Sequence, residues 1–234
     1  AGRDPIFFAQ LASETQTFQK PIADIVQNTC LGCHGFMGQR QYGIDQFWKD
    51  VTTGNVGPQS CGVFTREMAD AVPYPADNPT AANANYGALA RDGISCLSCH
   101  RMVLGYDETK KYVGTPENHC VIERQEFLNP GLTGFGSTFT GSFLVGPPDE
   151  IYGPFRNPVQ KPMRHALGNT PKHNSTLAMS ETCGTCHTVH LPVFFGGERV
   201  EYNGKKASVY EQLTYPEWAF SAYRTGTSPD GDLP

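Results

Sequence analysis

Six of the eight cysteines in this chain fall into one pattern that occurs three times: Cys30-Leu31-Gly32-Cys33-His34, Cys96-Leu97-Ser98-Cys99-His100 and Cys183-Gly184-Thr185-Cys186-His187. Two thiols one helical turn apart can add across the two vinyl groups of a porphyrin, while the adjacent imidazole reaches the iron as an axial ligand. C-x-x-C-H is therefore the signature of covalent haem c attachment, and chance supplies on the order of 0.01 matches in a chain of this length and composition. Paired cysteines also serve zinc ribbons and thiol redox enzymes. A zinc site built from pairs would leave one motif without a partner, a thioredoxin-like site would occur once, and neither explains the histidines. The motifs predict three haems c, held by Cys30, Cys33, Cys96, Cys99, Cys183 and Cys186, with His34, His100 and His187 as proximal ligands.

Each iron then has a sixth position to fill. Four histidines lie outside the motifs, namely His119, His173, His190 and His165, and they are the distal candidates, the first two ranked ahead of the others. His190 follows His187 by three residues. On a shared helical face it cannot reach the far side of its own haem, so it would serve a neighbour. Met37, Met68, Met102, Met163 and Met179 compete for the same positions, and Met ligation would raise the reduction potential relative to bis-His. The last two cysteines, Cys61 and Cys120, are predicted to form a disulfide in an oxidising compartment, against the alternative of two separately buried thiols.

The elements that must position these groups are unevenly marked. A helix is predicted from Pro21 to about Gln41, because Ile22, Ile25, Val26, Cys30 and Cys33 share a stripe at helical spacing. Residues 54–79 read as irregular chain, and Tyr86 to Arg91 as a short helix broken at Gly93. The Gly-, Pro- and aromatic-rich stretch 127–158 contains a brief alternation through Ser137 to Val145 that suggests one strand or hairpin arm. Asn174 or Ser175 can cap a helix carrying Cys183, Cys186, His187 and His190 and ending before Pro192. Thr214-Tyr215-Pro216-Glu217 has capping-box spacing and should open a last helix through Arg224, after which no closing element is expected. The motif histidines are 66 and 87 residues apart, so there is no repeat of fixed period. The expected fold class is mainly α with extensive irregular loops and little β, organised as one domain over residues 1–234 around stacked covalent haems.

Composition agrees with that frame. Of the 234 residues only 38% are hydrophobic, 25 are Gly and 18 are Pro, and mean hydropathy is −0.40. That is thin for a protein-only core, and three large apolar porphyrins would make up the difference. Formal net charge is −5 with no basic run, which argues against a nucleic-acid partner. No apolar stretch of 18 residues predicts a membrane span, and Ala1 does not open a leader peptide. Covalent haem attachment takes place outside the energy-conserving membrane, so the expected location is exported, either periplasmic or extracellular at the cell surface.

Cys30 to Gly35, Tyr86 to Ser95 leading into the second motif, Lys161-Pro162-Met163, Ala166-Leu167-Gly168 and Cys183 to Val193 together resemble the cytochrome c554-like multihaem cytochromes. That family includes secreted cytochromes that polymerise into conductive filaments. The resemblance implies closely packed haems and fast electron hopping. It also implies partners that are other redox proteins or cytochromes, or further copies of the chain joined by haem–haem contacts and inter-subunit His ligation. In such proteins a segment like Glu211 to Trp218 is followed by another C-x-x-C-H motif, which is absent here. The chain therefore carries either three haems, or a fourth that lies beyond Pro234 or is shared between subunits. The function expected is electron transfer through bis-His haems, with no catalytic residue. The alternative is a multihaem oxidoreductase acting on a small nitrogen compound at a five-coordinate haem.

Overall fold

The computed structural model describes residues 2–54, 61–74, 77, 81–104, 110–225, 227–228 and 231–232. It is mainly α, and its strands form two-stranded pairs. Asp4 opens the first helix, α1 (Pro5–Ser13), by accepting from the Ile6 N–H. A π-helical turn (Glu14–Phe18) and a 3-10 turn (Lys20–Ile22) lead into α2 (Ala23–His34). The continuous helix expected to Gln41 is interrupted. Gly35, at φ −131°, ends α2 at the first motif, and α3 (Phe36–Thr53) sets off from it. Glycine has little to lose by leaving the helical region, and the bend carries the motif histidine at a helix end.

The helix α5 (Ala84–Asp92) lies across α3 and matches the short helix expected there, with Gly93 at φ +70° ending it. The approach is close: a Cβ on Gly38 would stand 2.4 Å from the Tyr86 carbonyl oxygen. Tyr86 Oη donates to Asp45 Oδ2 on α3 at 2.7 Å. Between them the short helix α4 (Arg66–Asp70), capped by Thr65, interrupts the stretch expected to be irregular; residues 55–60, 75–76 and 78–79 of that stretch lie outside the described residues. Leu11, Val26, Leu31, Phe64, Ala69 and Ala90 form the apolar cluster these helices share.

A second cluster, Phe36, Met102, Leu104, Phe143 and Val145, is completed by Met37 and Cys186. It forms around the antiparallel pair β1 (Met102–Val103) and β2 (Leu144–Val145). The alternation expected from Ser137 to Val145 thus yields strand only at Leu144–Val145, because the chain before it winds into a 3-10 turn, Gly134–Thr138. The fully buried Asn118 joins the pieces: its Nδ2 donates to the Tyr112 and Val145 carbonyls, and its Oδ1 accepts from the Val145 N–H.

Two further pairs lie near the motifs. β3 (Glu150–Gly153) runs parallel to β4 (Thr170–His173), and β5 (Val189–Pro192) pairs antiparallel with β10 (Ser208–Gln212). Small hairpins, β6 with β7 (Phe194–Phe195, Glu198–Arg199) and β8 with β9 (Glu201–Tyr202, Lys205–Lys206), fill the intervening chain. Two expectations fail here. Asn174 caps only a 3-10 turn (Ser175–Ala178), the third motif begins in a four-residue helix (Glu181–Gly184), and Val189–Pro192 is a strand. The β-branched run Thr188-Val189 and the partner strand Ser208–Gln212 prevail over helical spacing. Near the C-terminus Thr214 begins the helix (Thr214–Ala219) without acting as its cap, a 3-10 turn reaches Thr225, and Thr227–Ser228 pairs with Gly231–Asp232 where no closing element was expected.

Candidate haem-attachment site

The first motif ends α2, the second is a five-residue helix of its own (Cys96–His100), and the third straddles the end of Glu181–Gly184. In each, one turn of helix or turn brings the two cysteines to one side. The three are gathered around the second apolar cluster. Cys186 packs against it, and Met37, three residues after His34, accepts from Ser98 Oγ of the second motif at 3.5 Å. The Cys33 thiol of the first motif lies close enough to the Cys186 thiol of the third for the two to interact. That interaction, with burial, holds the Cys33 thiol up, and it lowers the Cys186 thiol. Cys99 is near enough to Cys186 and Cys183 that its thiol is raised by burial and by their charge.

The segment 140–141 ties the first and third motifs together. Thr140 N donates to Thr188 O at 2.9 Å and Gly141 N to Thr185 O at 2.8 Å. Gly141, at φ +68°, leaves room for Cys33: a Cβ there would stand 2.8 Å from its Sγ. This glycine is required both by its backbone and by the sulfur beside it.

The six motif cysteines are free thiols, whereas Cys61 and Cys120 form the expected disulfide, with Cα atoms 5.5 Å apart. A cavity of about 550 Å³ opens against Cys30, Cys33, His34 and Cys186, a volume in the range of cofactor pockets. Its walls are largely apolar, with Phe7, Leu11, Val26 and Leu191 among them, and Glu14 and Glu211 are its acidic groups. Burial, with Glu211 adding to it, pushes the Cys30 thiol up to about 11. Phe7 stacks on the His34 ring at 3.7 Å and 1°, and His34 Nδ1 is buried without a partner. Burial lowers the pKa of this imidazole and so favours its neutral, ligating form.

The other two proximal candidates are held by their Nδ1 atoms. His100 Nδ1 lies 2.6 Å from the Tyr152 carbonyl, and His187 Nδ1 lies 3.2 Å from the Gln212 side-chain amide. A ring tethered at Nδ1 presents Nε2, the arrangement by which a ligating imidazole is oriented. The residues present therefore fit a covalent haem: paired free thiols, imidazoles with an available nitrogen, and an apolar cavity.

The distal candidates are scattered. His173 pairs with Gly153 in the β3–β4 register, one residue from the carbonyl that holds His100, and is exposed. His190 is buried on β5 beside Phe139 and Tyr210, and its Nε2 has no partner. Because Val189–Pro192 is a strand, the argument that His190 shares a helical face with His187 does not hold. His119 begins the helix His119–Leu128, where Nε2 meets Glu123 Oε1 at 3.1 Å and the ring lies 4.3 Å from Phe47. It stands beside the disulfide, with Cys61 and Glu123 close by. His165 is exposed on the helix Lys161–Leu167.

Sequence reasoning missed Arg40, Arg101 and Arg124, whose guanidinium groups tie the chain near the motifs through backbone carbonyls of Phe143, Gly146, Asn28, Thr29 and Thr140. Isolated arginines far apart in sequence carry no spacing signal. It also missed Gly141, one of many glycines. Among the described residues, no helix is long and apolar enough to cross a membrane. Comparison with protein-family models, with curated proteins and with solved structures gives no match.

Proposed function

We propose that this chain is an exported electron-transfer protein that holds three haems c through its C-x-x-C-H motifs. The observation that carries this reading is the gathering of all three motifs around one apolar cluster, with Cys33 and Cys186 in contact, although they are far apart in sequence. When bound, haem supplies a one-electron iron couple. The protein's residues do the rest. The cysteine pairs anchor the cofactor, and the Tyr152 carbonyl and the Gln212 amide orient His100 and His187. His190 and His173 would supply nitrogen ligands from strands to two of the irons, a methionine or a histidine of another copy of the chain would complete the third, and apolar walls limit water at His34. Full axial ligation leaves no position for substrate, which favours electron exchange over catalysis. Close approach of the motifs supports stacked cofactors and transfer to other redox proteins or to further copies of the chain.

The test is to produce the chain in a host with a cytochrome c maturation system and compare pyridine haemochrome absorbance with protein mass. Three acid-stable haems per chain and a purely low-spin ferric EPR spectrum are expected. A chain without covalent haem overturns the proposal, and a high-spin ferric signal replaces electron transfer with the oxidoreductase reading.

A further inference from the structure

Three half-buried arginines stand around the motifs, each with an enclosed nitrogen to spare. The guanidinium of Arg40 lies 4.9 Å and 5.3 Å from the ring centroids of Phe36 and Phe143, and its Nη2 donates to the Phe143 carbonyl at 2.9 Å. Arg124 donates from Nη1 to Asn28 O at 3.1 Å, and from Nη2 to Thr29 O at 2.9 Å and Thr140 O at 3.1 Å. Arg101 donates from Nη2 to Gly146 O at 2.7 Å. Three donors are left over: Nη1 of Arg40 and Nε of Arg101 and Arg124 are buried and meet no acceptor. The ion pairs among the described residues are Arg66–Asp70, His119–Glu123 and Lys172–Glu150, so none of the three arginines is neutralised by a carboxylate.

Burial, together with repulsion from Arg124 and Arg101, pushes Arg40 down to about 9. A buried charge without a counter-charge is strongly unfavourable, and carbonyl acceptors alone do not cancel it. Arg40 and Arg124 line one cavity of about 590 Å³. Asp24, Glu117 and Glu123 share that cavity without pairing to either guanidinium.

We propose that Arg40 and Arg124 form a binding site for a carboxylate or oxyanion, which takes up the spare donors at Arg40 Nη1 and Arg124 Nε. The planar guanidinium suits such a group better than an ammonium would. One source of this chemistry rests on the function proposed above: a propionate of a haem other than the one at the first motif. The guanidinium of Arg124 lies on Gly32, where a Cβ would stand 2.2 Å from its Nη2, between Cys30 and Cys33. Propionates leave a porphyrin at the edge opposite the vinyl groups, so the first haem's own propionates point away from Arg124. The other source is a free oxyanion.

The matured protein, its Arg40→Met, Arg124→Met and Arg40→Lys variants, and sulfate as the oxyanion probe distinguish the cases. Pyridine haemochrome is measured for each variant. If the site is real, Arg40→Met and Arg124→Met lower Tm and Arg40→Lys recovers part of the loss. Propionate is identified when, in addition, one haem's midpoint potential falls in the Met variants and sulfate has no effect. A free oxyanion is identified when sulfate at constant ionic strength raises the wild-type Tm but not that of the Met variants, with potentials unchanged. A sulfate response in a chain that proves to hold no haem supports the site while overturning the functional reading. The site itself is overturned if Arg40→Met raises Tm, as removal of a lone buried charge does, with neither sulfate nor potential responding.

Discussion

The thiols of Cys33 and Cys186 interact, joining the first C-x-x-C-H motif to the third, while the second approaches both, through Cys99 beside Cys186 and through Ser98, which donates to Met37. The three motifs are thus mutual neighbours although they are far apart in sequence. The segment Thr140–Gly141, bonded to Thr188 and Thr185, enforces this arrangement.

With haem bound at the motifs as proposed, the consequence is magnetic. A Cys96→Ala/Cys99→Ala variant lacks attachment at the second motif but keeps Cys33 beside Cys186. Its remaining ferric EPR signals are expected to show mutual broadening, which disappears on selective reduction of one centre. Two sharp, independent signals would contradict the contact between the first and third motifs.

The disulfide clamps a different part of the molecule. Cys61 and Cys120 are 59 positions apart in sequence, and Cys120 stands on the helix that also carries Arg124. Loop-closure entropy for a span of this size corresponds to about 4 kcal/mol. For a chain of this length that lowers Tm by roughly 10 °C. Calorimetry of the Cys61→Ala/Cys120→Ala variant checks this, and an unchanged Tm would remove the clamp from the account of stability.

Tyr86 and Asp45 link α5 to α3, and the bond has a pH signature. Burial, with the hydrogen bond to Asp45 adding to it, raises the Tyr86 hydroxyl to about 12, above the value of about 10 for an unfolded tyrosine. A raised folded-state value means that the contribution is complete below pH ~10 and is lost as pH climbs through about 12. Tyr86→Phe is expected to cost about 1 kcal/mol at neutral pH. The gap in Tm between wild type and variant should hold from pH 7 to 9 and close by about pH 12. A gap that stays open at pH 12 shows that Tyr86 acts through packing rather than through its hydroxyl.

What was legible in the sequence follows from what is local. The three C-x-x-C-H motifs, the helix over Tyr86 to Arg91 and the Cys61–Cys120 pairing are set by neighbouring residue types or by the count of cysteines. The break at Gly35 was missed because the apolar stripe of α2 does not itself mark where a glycine redirects the chain. The strand at Val189–Pro192 was missed because Cys183, Cys186, His187 and His190 fall at helical spacing, and only the distant strand Ser208–Gln212 decides otherwise. The half-buried arginines escaped for a related reason. Their environment is assembled from Phe36, Phe143, Asn28, Thr29 and Thr140, which come together only in the fold.

The same long-range effect reorders the distal candidates for the proposed haems. His173 and His119 ranked first from the sequence, yet His119 Nε2 is engaged by Glu123. His190 is buried, with an Nε2 that no protein group satisfies. An unsatisfied imidazole nitrogen in an apolar setting is costly unless something coordinates it. Burial also lowers the His190 pKa, so the neutral, ligating form prevails. Single alanine variants of the matured protein separate the candidates by ferric EPR. His190→Ala and His173→Ala are each expected to convert one low-spin haem to high spin, with the haem count unchanged. His165→Ala, which removes an exposed side chain on the helix Lys161–Leu167, should leave every signal in place. His119→Ala should do the same while lowering Tm through loss of the contacts to Glu123 and Phe47. A high-spin signal from His119→Ala would return that residue to the iron and show that its pairing with Glu123 gives way when the haem is bound.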